Sequence, residues 1–166
     1  MKTRSRLSAG RALLVLSLLG GPAVGAIAPA AAAQQYHNGT FGFTLSLASG
    51  LEDYQSVTSP DGITLTSPDG LVVVDIFGSR NEGEKPLHAI VDQYKRDLPN
   101  AEITYEWHGR NAAVLSGYQD NDIFYVRIAM SPDRSRVAAL SMIYDPVLKR
   151  ELDPVVTRLS TSLSID

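Results

Sequence analysis

The chain has 166 residues, no cysteine and a formal net charge of −3. All 18 acidic residues follow residue 33 whereas four of the 15 basic residues precede it, so residues 34–166 carry 11 basic against 18 acidic side chains, a net charge of −7. So acidic a segment presents no basic stripe for a nucleic-acid backbone or an anionic lipid surface. Without cysteine, disulfides, thiolate catalysis, zinc–cysteine sites and a lipid-modified N-terminal cysteine are excluded.

Residues 1–33 have the three parts of a cleavable secretory signal peptide. A cationic start is followed by an apolar run at 12–19 and by small residues that end in Ala31-Ala32-Ala33. The run is shorter than the about 20 residues that span a bilayer. We therefore expect Sec-type export, cleavage after Ala33, and a periplasmic or secreted product with no membrane anchor. The alternative is an anchor that is never cleaved, which the glycines and proline at 20–22 disfavour.

The mature segment begins with residues 34–39, which we expect to be flexible. Residues 41–47 then alternate between apolar and small or polar side chains, the pattern of a half-buried strand. Residues 48–59 are polar and lack periodicity, which predicts a loop.

Two copies of one turn motif come next, Ser59-Pro60-Asp61-Gly62 and Ser67-Pro68-Asp69-Gly70. Proline, aspartate and glycine each favour a tight turn for a different backbone reason. The motif predicts a hairpin over 63–77. Its second strand, 71–77, is nearly all apolar, which predicts burial on both faces.

Apolar residues at helical spacing predict an amphipathic helix over 87–98, after Pro86 and before Pro99. Strands are predicted over 103–108, 113–118, 123–130 and 136–144; because turns of three to five residues join them, they should form an antiparallel meander. A last amphipathic helix is predicted to begin at Asp153, and Asp145-Pro146 to open a shorter turn before it.

This element order, β-β-β-α-β-β-β-β-α, predicts an α+β domain over residues 34–166. We expect a single antiparallel sheet of about six to seven strands with two amphipathic helices packed on it. No second domain or interdomain linker is predicted.

Several short motifs resemble a family of uncharacterised exported proteobacterial proteins. They are Phe41-Gly42-Phe43, 66–70, 115–118, Ile123-Phe124-Tyr125 and the closing segment 152–163. The likeness extends over about residues 36–163, although Leu47-Ala48-Ser49 stands where the family has a Tyr-Pro pair. The element order is also similar, more distantly, to the α/β/α sandwich of the photosystem II extrinsic PsbP subunit. Both resemblances imply the fold and leave the function open.

No motif assigns a catalytic, cofactor-binding or metal-binding residue. Ser116-Gly117 lies within a predicted strand and not at a nucleophile elbow. His37, His88 and His108 fall in separate elements without the spacing of metal ligands. Acid pairs such as Glu82 and Glu84 are better explained by solubility. We therefore expect no enzyme and no cofactor.

Charged residues inside apolar strands are the one candidate site. Asp75 and Arg127 each interrupt an apolar strand, and a buried charge is costly unless it is paired. We predict that the two form an ion pair or share a polar face with Glu106 and His108.

The expected function is that of a non-catalytic exported module that binds a protein partner or assists the cell envelope. The alternative is a small-ligand-binding domain with a pocket between sheet and helix, lined by Tyr94, Trp107 and Tyr118. A hydrolase with an unrecognised acid–base pair is less favoured.

Overall fold

A computed structural model describes residues 34–47 and 49–166. The predicted signal peptide and its cleavage site at Ala33 lie outside the described residues. Seven strands form one antiparallel sheet in the order β3-β4-β5-β9-β8-β7-β6. They are β3 (Gln55–Thr58), β4 (Gly62–Thr66), β5 (Val73–Arg80), β6 (Ala101–His108), β7 (Ala112–Gln119), β8 (Asp122–Met130) and β9 (Arg136–Tyr144). The predicted hairpin and the four-stranded meander are confirmed.

A second, three-stranded sheet contains β1 (Gln35–Asn38), β2 (Phe43–Ser46) and β10 (Ser164–Ile165), with β2 in the middle. Two helices complete the described part of the chain. Helix α1 (Leu87–Asp97) follows β5, and α2 (Lys149–Ser162) follows a 3-10 turn, Pro146–Leu148.

The register of the large sheet sorts its side chains onto two faces. One cross-strand row consists of Thr64, Asp75, Ser141, Val126, Leu115 and Glu106. It lies on the face that packs against α1, which we call the α1 face. The adjacent row consists of Ile63, Ile76, Leu140, Arg127, Val114 and Trp107, and successive residues of a strand point to opposite sides. This second face packs against α2 and is called the α2 face.

Each face has its own apolar core. On the α1 face, Leu87 and Val91 of the helix pack against side chains of β7 and β8 such as Leu115, Phe124 and Ile128. On the α2 face, Leu152 and Leu159 of α2 and Phe43 of β2 lie in one cluster with β4, β5 and β9. Apolar side chains recur about every 3.6 residues in the helices and every two residues in the strands. One helix therefore packs on each face of the large sheet, in an α/β/α arrangement.

The prediction of a single sheet is wrong, because β1, β2 and β10 form a sheet of their own. Phe43 and Leu45 of β2 are fully buried against the α2 core, so the apolar alternation was correctly identified. The two strands that pair with β2 are not predicted: residues 34–39 contain β1 where a flexible start is expected, and β10 follows the last helix. Both strands are short and mostly polar, and they lack the alternation that marks a half-buried strand.

The stretch 48–59 contains strand β3, although it was predicted to be a loop. All four residues of β3 are exposed, since it is an edge strand outside the core. The first turn motif is the sequence feature that indicates strand β3. Ser59 and Gly62 exchange backbone hydrogen bonds across a two-residue connection, and a hairpin turn needs a strand before it as well as after it.

Strand β5 is buried on only one face. Val74 and Ile76 are fully buried toward α2, whereas Phe77 is 38% exposed on the α1 face. The prediction of burial on both faces is wrong because α1 packs over β7 and β8 and leaves β4 and β5 uncovered.

The last helix begins at Lys149, four residues before the predicted start at Asp153. The Asp145 side chain accepts a hydrogen bond from the Val147 backbone N–H and caps the 3-10 turn, as predicted for that turn. Pro154 consequently lies inside α2, where it lacks the N–H that would bond one turn back. The side chain of Asp153 is free to pair with Lys149.

Candidate functional site

Asp75 lies on the α1 face, in the middle of the large sheet. Its carboxylate Oδ1 accepts a hydrogen bond of 2.6 Å from the Thr64 hydroxyl on β4. Its cross-strand neighbour on β9 is Ser141, whose side chain also carries a hydroxyl group. The charge is half-exposed and is met by a neighbouring hydroxyl, so it needs no cationic partner.

Arg127 lies on the opposite face. It is the cross-strand neighbour of Leu140, whereas Asp75 is opposite Ser141, the next residue of β9. Because consecutive residues of a strand point to opposite sides, the register does not bring Asp75 and Arg127 together.

Glu106 and His108 do come together, at the β6 edge of the α1 face. Glu106 Oε1 lies 2.7 Å from Lys95 Nζ and 2.5 Å from His108 Nε2. The hydrogen bond from Lys95, followed by the one from His108, holds the pKa of Glu106 below its ordinary value. The cluster is exposed to solvent, and such pairs contribute little to stability. It ties α1 to the sheet edge, and three strands separate it from Asp75 in the same row.

The residues considered for catalysis and metal binding have ordinary structural surroundings. The Ser116 hydroxyl donates to the Phe124 carbonyl oxygen at 2.9 Å. Within residues 34–47 and 49–166, no three His, Asp or Glu side chains come close enough to hold a metal ion. No helix of this part of the chain is long and apolar enough to cross a membrane.

The three aromatic residues proposed to line one pocket line three different cavities. Tyr94 lies beside a cavity of about 490 Å³ next to α1, Trp107 beside one of about 250 Å³, and Tyr118 beside one of about 340 Å³. A fourth cavity of about 660 Å³ lies between α2 and the β4–β5 turn. Sequence spacing could not reveal this, because Tyr94 is on a helix that covers the other face of the sheet.

The cavity at Trp107, called here the Trp107 groove, lies at the end of β6–β8 beside β10. Its lining includes Trp107, Arg110, Arg127 and Ile165, and the part of the chain that the structure describes contributes no acidic side chain to it. Nε of Arg127 is buried without a hydrogen-bond partner among the described residues. Within a segment of net charge −7, this groove therefore combines two cations with an indole that is 44% exposed.

Exposed aromatic rings continue from the groove across the α2 face. Helix α2 packs over β8 and β9 and leaves the outer strands β6 and β7 open, so Tyr105 is 55% and Tyr118 43% exposed. Large exposed aromatic groups gathered on one sheet face are typical of interaction surfaces.

The cavity between α2 and the α2 face of the sheet, called here the tyrosine cleft, brings together Tyr118, Tyr125 and Tyr144. The cross-strand row Tyr144, Ile123, Tyr118 places two of them on either side of one isoleucine. Tyr125 lies two residues after Ile123 on β8, on the same face of the sheet. Lys149 and Asp153 of α2 form an ion pair of 2.7 Å in its lining. The sequence had shown these tyrosines only as strand residues, because the register that gathers them is a tertiary property.

Burial raises the pKa of Tyr144 to about 12, and the nearby carboxylate of Asp153 and the phenols of Tyr118 and Tyr125 add to the shift. The pKa of Tyr125 is also raised, chiefly by burial, although its hydroxyl lies 2.6 Å from the Ser160 hydroxyl. Both phenols are thus neutral at physiological pH, and each is able to donate and to accept a hydrogen bond.

Comparison with solved structures identifies the fold as PsbP-like. The chain is similar to the solution structure of cyanobacterial PsbP (CyanoP) from Synechocystis sp. PCC 6803, with a TM-score of 0.62 and 11% identity over 88% of this chain and 100% of that one. It is also similar to LpqN, "involved in cell envelope biogenesis of Mycobacterium tuberculosis", with a TM-score of 0.51 and 15% identity over 80% of this chain and 90% of that one. No protein-family model and no curated sequence matches.

The predicted PsbP-like α+β architecture is confirmed by these structures. At such low identity they establish the fold alone. Membership of the exported proteobacterial family, for which no model matches, stays a prediction.

Proposed function

We propose that this chain is an exported, non-catalytic accessory module that binds an acidic, apolar segment of another cell-envelope protein in the Trp107 groove. The observation that supports it is that Trp107, Arg110 and Arg127 line one groove, to which the described residues contribute no acidic side chain. Tryptophan and arginine are the residues that most often dominate protein–protein binding energy.

The position of Arg127 is better explained by binding to a partner than by a contribution to the stability of the fold. A buried donor without an acceptor lowers the free energy of unfolding, commonly by about 1–3 kcal/mol. A carboxylate of a partner would supply the acceptor and would be attracted by Arg110 as well. Residues 34–166 have a net charge of −7, so the surface outside the groove repels an acidic partner. This repulsion favours the orientation in which the partner lies in the Trp107 groove.

The export part of the proposal rests on the leader. A cationic start, a short apolar run and the small residues before Gln34 are typical of a cleaved signal peptide. LpqN, similar in fold, is described as taking part in cell envelope biogenesis, which is compatible with an envelope role here.

The proposal is tested by photo-crosslinking in intact cells. A photoreactive amino acid replaces Trp107 in one full-length chain and Gln93, an exposed residue of α1, in a matched control. We expect one discrete cross-linked protein from position 107, none from position 93, and loss of the product when Arg127→Glu is added. The purified partner should present an acidic segment and should lose at least tenfold in affinity with Arg127→Glu.

Equal cross-linking from positions 107 and 93 would contradict the proposal, as would a partner whose affinity is unchanged by Arg127→Glu. A folded protein with the native thermal midpoint is required of each variant, so that loss of binding is not loss of structure.

A further inference from the structure

The hydroxyl of Tyr144 has no hydrogen-bond partner among residues 34–47 and 49–166, and it is not one of the polar atoms buried there without a partner. The residue as a whole is only 3% exposed, so its hydroxyl is the part that meets solvent. Water meets a hydroxyl at such a position, and a ligand hydroxyl that replaces the water keeps the hydrogen bond. This hydroxyl lines the tyrosine cleft. The Tyr144 hydroxyl is therefore accessible to an external hydrogen-bond partner in the cleft.

The groups around it point to a ligand with many hydroxyls. Tyr118 and Tyr125 lie on the same side of the sheet as Tyr144, and Thr104 and Thr157 also line the cleft. The phenol hydroxyls of Tyr118 and Tyr144 can both donate and accept, as the hydroxyls of a ligand do. The hydroxyls of Thr104 and Thr157 donate to the carbonyl oxygens of Ser116 and Asp153, so they remain acceptors. Neither a carboxylate nor an ammonium group can offer both roles.

The charge of the cleft points to a neutral ligand. Lys149 and Asp153 are its charged lining residues, and they neutralise each other, with Nζ 2.7 and 2.9 Å from the two carboxylate oxygens. A salt-bridged carboxylate still accepts hydrogen bonds from ligand hydroxyls on its free lone pairs. An anion or a cation would meet no net charge of opposite sign.

The rings supply the apolar side of the same contact. Tyr118 is 43% exposed at the cleft and presents a ring surface next to Ile123 and Val156. A pyranose ring has one face of C–H groups that packs on such a surface and a rim of hydroxyls. The volume of about 340 Å³ lies within the range of small-ligand sites.

We infer that the tyrosine cleft is a binding site for a neutral saccharide unit, in which the hydroxyls of Tyr144 and Asp153's carboxylate hold ligand hydroxyls against the ring of Tyr118. The site is on the α2 face but does not include Trp107, Arg110 or Arg127. It is therefore independent of the protein-binding groove, and either proposal can fail without the other.

The test is ligand-observed NMR on the exported protein with glucose, N-acetylglucosamine, cellobiose and chitobiose. We expect saturation transfer to at least one of these sugars. Tyr144→Phe and Asp153→Asn are each expected to weaken binding at least tenfold. The matched control Tyr94→Phe removes a phenol hydroxyl on the other side of the sheet and should leave affinity unchanged.

Because no described residue bonds to the Tyr144 hydroxyl, Tyr144→Phe is expected to keep the thermal midpoint of the native protein, which separates lost binding from lost folding. Acetate, phosphate and D-alanine serve as anionic and zwitterionic probes. The inference is overturned if none of the four sugars binds, if a charged probe binds in their place, or if Tyr144→Phe binds a sugar as tightly as the native protein.

Discussion

Gly117 of β7 lies directly against the carbonyl oxygen of Glu102 on β6: a Cβ atom at position 117 would be 1.9 Å from that oxygen. The contact occurs where the β6–β7 register shifts between Ile103 and Tyr105. The bulge turns Tyr105 and Trp107 toward the α2 face, so a glycine at this point helps to set the aromatic surface.

Gly117→Ala is therefore expected to lower the free energy of unfolding by about 1–3 kcal/mol, because the added methyl group overpacks the backbone of a neighbouring strand. Urea unfolding followed by circular dichroism measures the change. Gly39→Ala is the matched control: nothing lies within 4 Å of a Cβ at position 39. Equal effects of the two substitutions would contradict the assigned role of Gly117.

The two half-buried arginines of the α2 side should respond in opposite ways to removal of their charge. Arg127→Met deletes a buried Nε that has no partner among the described residues, so the free energy of unfolding should stay the same or rise by about 1 kcal/mol. Arg136 donates to the carbonyl oxygens of Phe41 and Asp166. Arg136→Met should therefore lower the free energy of unfolding by about 1–3 kcal/mol. Chemical denaturation of both variants measures the difference; a loss of similar size for both would show that Arg127 is structural.

Tyr144 should make the stability depend on alkaline pH. Its pKa is raised from 10.0 to about 12 in the folded chain, chiefly by burial. In the unfolded chain the phenol ionises near 10, so the unfolded state binds fewer protons between these values. The contribution of this group is therefore fully present below about pH 10 and falls as the pH rises toward about 12.

The measurement is a series of urea unfolding curves across this pH range, with Tyr144→Phe as the comparison. The loss of stability of the native protein should exceed that of Tyr144→Phe, and the two curves should run in parallel below pH 10. A constant difference across the whole range would contradict the raised pKa.

The leader gives a prediction about processing. The mature protein should begin at Gln34, because the small residues Ala31 and Ala33 suit the peptidase that removes signal peptides. Mass spectrometry of the protein recovered from the periplasmic and culture-medium fractions measures the terminus. Replacing both alanines, Ala31→Leu with Ala33→Leu, should leave the precursor unprocessed, whereas Ala23→Leu should not. A mature terminus elsewhere would contradict the assignment.

Turn chemistry shows how far local sequence reaches. Ser67-Pro68-Asp69-Gly70 and Ser131-Pro132-Asp133-Arg134 close their hairpins with the same hydrogen bonds, from the fourth residue's N–H to the serine carbonyl and from the serine hydroxyl to the aspartate. Gly70 and Arg134 both have a positive φ, of 73° and 63°. Ser59-Pro60-Asp61-Gly62 has the same sequence as the motif at 67–70 but forms a two-residue hairpin turn. The motif predicts a turn, and the pairing of the flanking strands selects its type.

By itself, the sequence determined α1, the β6–β9 meander, the β4–β5 hairpin and the apolar alternation of β2. Each of these depends on side-chain periodicity and turn residues that act over a few positions. The tertiary structure alone decided the second sheet, because β10, at the end of the chain, pairs with β2, which lies near the start of the described residues. Short polar strands have no sequence pattern that predicts their pairing partner. It also decided that Asp75 and Arg127 face opposite ways and that Tyr118, Tyr125 and Tyr144 meet. Both results depend on strand register, and a shift of one residue would move every side chain to the other face.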